Sequence, residues 1–119
     1  MDRDGAIVNI VADMWRGMPM MAHSGAARAG VVNLTKTLAL EWSARGVNVN
    51  ALAPGPVWTE ARHELFSNPE FYANLLKKVP INRTAKPVEM VGPAIFLASE
   101  ASSFVTGETL LVDGGFCAQ

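Results

Sequence analysis

One hundred and nineteen residues, half of them hydrophobic and 18% charged, suffice for a single domain with a modest core. A formal net charge of −1 excludes the basic footprint of a nucleic-acid or membrane-surface binder, and no apolar run reaches the roughly 18 residues needed to span a bilayer. The single cysteine, Cys117, excludes an internal disulfide and fits a reducing compartment. The opening Met1-Asp-Arg-Asp-Gly lacks the basic-then-apolar pattern of a secretory leader. A soluble cytoplasmic protein, or a piece of one, is the expectation.

Ala6–Val11 is a nearly continuous run of strand formers, as in a strand buried on both faces. Trp15–Met21 follows with Gly17, Pro19 and several of the chain's six methionines, as a loop folded over something apolar. A long helix is expected from Ser24, read as its N-cap, to about Ala44, with Gly46 as its stop. Gly25, Ala26, Ala27, Ala29 and Gly30 crowd its start with small residues that permit close approach to a sheet or a ligand. Apolar residues fall on more than one face of this helix, so one face meets the sheet and another is left for a partner subunit.

Val47–Ala53 reads as a second strand, ended by Pro54-Gly55-Pro56. Two short helices are expected over Thr59–Phe66 and Pro69–Lys78, broken at Ser67-Asn68-Pro69. A further helix is expected over Pro87–Ser99, with Pro87 in its first turn and Glu89 near its positive N-terminal end. Thr109–Val112 is the third strand, ended by Asp113-Gly114-Gly115. The alternation is βαβαβ, which calls for three parallel strands with right-handed crossovers: an α/β chain forming half of a Rossmann-like, doubly wound parallel sheet. Ligands of such sheets bind beyond the carboxyl ends of the strands, here Ala12-Asp13, Pro54–Thr59 and Asp113–Phe116.

Several stretches on and around those ends are similar to the C-terminal half of short-chain dehydrogenases/reductases. They are Ile7-Val-Asn-Ile, Arg28-Ala-Gly-Val, Leu34-Thr-Lys-Thr-Leu-Ala-Leu-Glu-Trp, Val47-Asn-Val-Asn-Ala-Leu-Ala-Pro-Gly-Pro-Val-Trp-Thr and Phe104-Val-Thr-Gly-Glu-Thr-Leu-Leu-Val-Asp-Gly-Gly. The segment His23-Ser-Gly-Ala-Ala-Arg-Ala-Gly-Val, followed by Asn33-Leu-Thr-Lys, resembles the peroxisomal trans-2-enoyl-CoA reductases and, less closely, the 2,4-dienoyl-CoA reductases. The resemblance implies an NADP- or NAD-dependent reductase. Its hydride would pass to an enoyl- or ketoacyl-thioester carried on CoA or a carrier protein. It also implies a homo-oligomer paired through the long helix and through the last helix and strand.

Two departures stand out. No Gly-rich cofactor turn precedes Ala6, so the chain reads as a fragment lacking the dinucleotide-binding half, expected neither to bind cofactor tightly nor to turn over alone. The family's Tyr-x-x-x-Lys pair is also missing. Aligning Arg28-Ala-Gly with the family's Lys-Ala-Gly puts Arg28 at the lysine and Ser24 at the tyrosine, with the family's serine near Val11 or Ala12. A second register puts Val32 and Lys36 on the pair, and the only tyrosine, Tyr72, has no lysine four residues on.

Arg28 can hold ribose hydroxyls or a phosphate but cannot relay protons, and Ser24 can donate a hydrogen bond to a thioester oxygen. Both are the candidate catalytic residues. Pro54, Gly55, Val57 and Thr59 match the loop beside the nicotinamide, and with Arg28 they form the candidate cofactor-binding set. Asp13 and His23 flank the loop over the site and either could protonate carbon, Asp13 only with a raised pKa; loop or surface duty is the plainer reading of both. Lys36 reads as a solvated lysine, and His63 is given no site role. Trp58–Val79 occupies the place of the family's substrate lid. Two other readings stay open: a non-catalytic chain whose main property is self-association, driven by an apolar strand edge at Ala6–Val11, and a carbonyl reductase like the 3-oxoacyl carrier-protein reductases.

Overall fold

The computed structural model describes residues 3–119; Met1 and Asp2, part of the leader reading above, lie outside them. Strands β1 (Gly5–Ile10), β2 (Val47–Pro54) and β3 (Thr109–Val112) form one parallel sheet in the order β1-β2-β3. Helix α1 (Ala22–Trp42) joins the first two strands. The second crossover carries α2 (His63–Phe66), α3 (Pro69–Leu76) and α4 (Val91–Ala98), interspersed with single 3-10 turns. Gly5 pairs with Val47 through Ile10 with Leu52, and Ala51 with Thr109 through Pro54 with Val112. The βαβαβ alternation is present as expected. Among the described residues, no helix is long and apolar enough to cross a membrane.

The middle strand carries the core. Val49, Ala51, Leu52 and Ala53 are almost wholly buried. Ala51 and Ala53 pack with Val11 against Val31 and Val32 of α1. Asn50, pointing to the other face by the alternation of a strand, is also buried, and both ends of its amide are satisfied: Nδ2 donates to the Val105 carbonyl (2.9 Å) and Oδ1 accepts from the Glu108 N–H (3.0 Å). On α1, the buried Thr35 hydroxyl donates to the Val31 carbonyl and accepts from Asn9 Nδ2 of β1. These bonds fix how the helix sits on β1 and the β3 approach on β2, because breaking any one would leave a buried polar group short of a partner.

The structure corrects two local readings. Helix α1 begins two residues before Ser24, at Ala22, with Met21 as its N-cap and no side-chain cap. Met20, at φ 67°, turns the chain into the helix early. That places Ser24 within the first turn as its third residue, on the buried face, at 7% exposure. The far end is as expected: after a 3-10 turn over Ser43–Arg45, Gly46 adopts φ 75° and its N–H closes on the Ser43 carbonyl. The second correction concerns β1, which is not buried on both faces. It is an edge strand, most of it is half-buried, and Ile10 is 62% exposed. Its apolar run supplies strand propensity without the two-sided cover that such a run usually signals.

Candidate functional site

A cleft of about 470 Å³ opens beyond the carboxyl ends of β1 and β2. The sequence leads there from three separate stretches. After β1 the ladder continues for one more bond, from the Val11 N–H to the Leu52 carbonyl (2.8 Å), and the Asp13 N–H then reaches the Pro54 carbonyl (3.2 Å). The chain is thus held against the end of β2 before it leaves as the 14–21 loop. On one wall α1 contributes Ser24 and Arg28, spaced four residues apart and so on one helical face. On the floor lie Pro54, Gly55, Pro56 and Val57, and Thr59 follows. All six candidate residues, Ser24, Arg28, Pro54, Gly55, Val57 and Thr59, therefore line one cleft.

The opposite wall falls within Trp58–Val79, the segment that the resemblance makes a substrate lid, although none of its lining side chains was singled out from sequence. Phe66 of α2, Phe71 and Leu75 of α3, and Arg62 of the preceding 3-10 turn line it. Trp58 organises this wall: its ring meets those of Phe66 (5.5 Å between centroids), Tyr72 (5.4 Å) and His63 (5.9 Å) edge-on. His63 and Tyr72 thereby find packing roles, and the Tyr72 hydroxyl bonds Thr84 Oγ1 (3.1 Å). A bridge between Val57 and Ala85 anchors the segment, using the Pro56 carbonyl and the Trp58 N–H. Val57's own N–H and carbonyl consequently face away from Ala85.

The third side is closed by Met18, Pro19 and Met21 of the loop and by Phe116. Of the loop methionines, Met18 and Met21 line the cleft, while Met20 is fully exposed. Arg16 ties the loop to the chain end, its guanidinium 5.1 Å from the Phe116 ring centre and donating to the Phe116 carbonyl. Lys36 and His23 are exposed and do not line the cleft.

Gly55 has a structural reason to be glycine that the sequence did not reveal. A Cβ there would lie 2.6 Å from the Asp113 Cα. The bare backbone lets the end of β3 close over the end of β2 and brings Asp113 towards Asp13. The two carboxylates and the Cys117 thiol lie within 4.8 Å of one another. Asp113 is held by the Gly115 and Cys117 N–H groups, which donate to its two oxygens. Asp13 is raised to about 6, chiefly by burial and then by the Asp113 charge, with a backbone hydrogen bond opposing. Burial, followed by the hydrogen bond and charge of Asp113, pushes the Cys117 thiol up to about 11, so it is not a thiolate nucleophile at neutral pH. Asp113 directly follows β3 and Asp13 lies three residues past the end of β1, so both stand at the carboxyl ends of strands, which is the signal that could have paired them.

The family is settled by comparison. A family model described as "Enoyl-(Acyl carrier protein) reductase" matches residues 1–117, and the chain belongs to this group of short-chain dehydrogenases/reductases. A galactitol 2-dehydrogenase (L-tagatose-forming) of Cereibacter sphaeroides is 45% identical over 94% of this chain and 45% of its own length. A peroxisomal 2,4-dienoyl-CoA reductase of Danio rerio is 41% identical over 96% of this chain and 39% of its own length. The structure of a gluconate 5-dehydrogenase from Burkholderia cenocepacia J2315, in complex with NADP and tartrate, superposes with a TM-score of 0.90 at 38% identity, covering 97% of this chain and 46% of that one. The chain thus spans less than half the length of these relatives. Sugar-alcohol, sugar-acid and acyl-CoA enzymes all stand near it, so the family is broader than the acyl-CoA reductases that the His23–Val31 segment resembles.

Proposed function

We propose that the cleft is the nicotinamide and substrate end of an NADP- or NAD-dependent oxidoreductase that reduces an enoyl- or ketoacyl-thioester. The observation that carries this reading is the convergence of Ser24, Arg28, Pro54, Gly55, Val57 and Thr59 on one cleft beyond the strand ends. The residues fit a nicotinamide nucleotide. Arg28 offers a permanent fork of donors for ribose hydroxyls or phosphate. Val57 turns an unshared peptide group away from its bridge, as a carboxamide partner needs, and Thr59 adds a hydroxyl beside it. When bound, the nicotinamide supplies hydride.

The chain's own residues do the rest. Ser24, buried in the wall, donates to the substrate oxygen as negative charge builds there. Phe66, Phe71, Leu75, Met18 and Met21 give the acyl chain a dry wall and exclude water. Arg62, exposed on the lid, meets the anionic part of a CoA or carrier-protein thioester at the rim. A second reading, a polyol or sugar-acid dehydrogenase, draws on Arg28 and Arg62 facing the same cleft and on the galactitol relative. Self-association accompanies either reading: Leu40 of α1 and Ile95 of α4 are 84% and 60% exposed.

The test uses the polypeptide that contains these residues, supplied with NADPH or NADH and crotonyl-CoA or acetoacetyl-CoA, and with NADP or NAD and galactitol or gluconate. Thioester reduction is expected, with Arg28→Gln raising the KM for cofactor about tenfold. Turnover of the polyol or the sugar acid alone would replace the first reading by the second.

A further inference from the structure

We propose that Asp13 is the acid of this site, passing its carboxyl proton to the substrate as hydride arrives. The inference rests on the oxidoreductase reading above. Reduction must place a proton on the substrate, and the helix face that bears the family's tyrosine carries Ser24 and Arg28 here. Neither is an acid at neutral pH. Of the other side chains lining the cleft, Arg62 is also a permanent cation, and none is a tyrosine, lysine, histidine or cysteine. Among the described residues that line the cleft, Asp13 is the one remaining titratable group.

Its position suits the task. The Asp13 N–H is tied to the Pro54 carbonyl, so the residue is fixed beside the Pro54–Val57 floor instead of riding on the loop. Every charged or titratable neighbour can be named. Asp113 and Cys117 face it from the end of β3, within 4.8 Å, while Arg28 from α1 and Arg62 from the lid line the same cleft. Arg16, on Asp13's own loop, is engaged with Phe116. Burial and the Asp113 charge raise the carboxyl to about 6, so roughly a tenth of it still holds a proton at pH 7, near the optimum for proton transfer.

For a ketoacyl substrate, hydride from the reduced nicotinamide forms the C–H bond at the carbonyl carbon. The carbonyl π pair moves to oxygen, and the Asp13 O–H bond breaks to form the alcohol O–H. For an enoyl substrate, hydride adds at the β-carbon, the electron pair shifts through the α-carbon to the thioester oxygen, and the proton ends on the α-carbon. Either way Asp13 is left as carboxylate and is reprotonated from water, and the nicotinamide is left oxidised.

The experiment compares wild type, Asp13→Asn, Asp13→Glu and Asp113→Asn in the polypeptide containing this chain. It measures kcat and KM for reduction between pH 5 and 9, and separately follows the side-chain carboxyls by carbon NMR without cofactor. Wild-type kcat is expected to fall about tenfold per pH unit above pH 6. Asp13→Asn should lose about a hundredfold in kcat at little change in KM and become flat with pH, and Asp13→Glu should restore part of both. Asp113→Asn removes the like charge and should move the limb to lower pH. The NMR titration should show one carboxyl near 6 that vanishes in Asp13→Asn. An Asp13→Asn enzyme that keeps wild-type kcat and its pH limb, or an Asp13 that titrates near 4, overturns the role of Asp13 alone. A folded wild type that reduces no substrate overturns the oxidoreductase reading and this role with it.

Discussion

The two walls of the cleft are built on different principles. The inner wall stands on β2, whose residues 49–53 are sealed on both faces and whose buried polar groups are all bonded to named partners. The outer wall, residues 58–79, has a small aromatic cluster of its own, in which Phe66 is buried while most of the surrounding helical residues are exposed. It is fastened to the chain at residues 84–85 through the Val57–Ala85 bridge and the Tyr72–Thr84 bond. A wall that shares the core cannot shift without breaking it, whereas a wall with a private core can open as a unit.

Leu52→Ala should break the inner wall and lower global stability the most, by about 3 kcal/mol, because it empties space at the centre of the sheet; urea denaturation followed by circular dichroism would show it. Phe66→Ala should cost about 2 kcal/mol as the edge-on contact with Trp58 is lost. Its mark is where the loss appears: faster hydrogen exchange confined to residues 58–84, with β2 amides unchanged. Exchange spreading equally into β2 would erase the distinction between the walls.

Asp13→Asn probes the junction. The folded-state pKa of Asp13 is raised above 3.8 to about 6, so the native state loses stability as pH rises through that window. The variant should be more stable than wild type at pH 8, by on the order of 1 kcal/mol once partial exposure is allowed for, and no different at pH 3. Thermal melts at the two pH values would test the sign. The smallest effect is expected just beyond the outer wall. There Arg83 holds Glu89 through two bonds of 2.8 and 2.7 Å, Glu89 also accepts from the Lys86 N–H, and its carboxyl is held at about 2. This support is present above pH 4.5 and lost as pH falls towards 2. The pair is exposed, so Glu89→Gln should abolish a slight, salt-sensitive loss of lid protection in acid and leave the melting of β2 untouched.

Much of the frame was legible in the chain. Apolar runs of strand formers gave all three strands within a residue, two of them ending at Pro54-Gly55 and Asp113-Gly114, because strand propensity is carried by the local run of residues. The α1 face with Ser24 and Arg28 was also legible, since helical spacing is local. What escaped depended on distance. The packing of Phe66, Phe71 and Leu75 across from Arg28 follows only from the whole arrangement. So does the meeting of Asp13 with Asp113, 100 residues apart. Ser24 misled for a related reason: a serine near a helix start reads as a cap unless the backbone has already turned at Met20.

The order of the strands has a kinetic consequence. β1, β2 and β3 lie side by side as they occur in the chain, so each ladder joins consecutive strands. Thirty-six residues separate β1 from β2 and 54 separate β2 from β3, and closing the longer loop costs only about 0.4 kcal/mol more. Synthesis delivers β1, α1 and β2 as a complete unit, then the aromatic segment that can collapse on Trp58, and last the strand that brings Asp113 over Gly55. The acidic pair can therefore form only after β3 has been made, more than 50 residues after the end of β2.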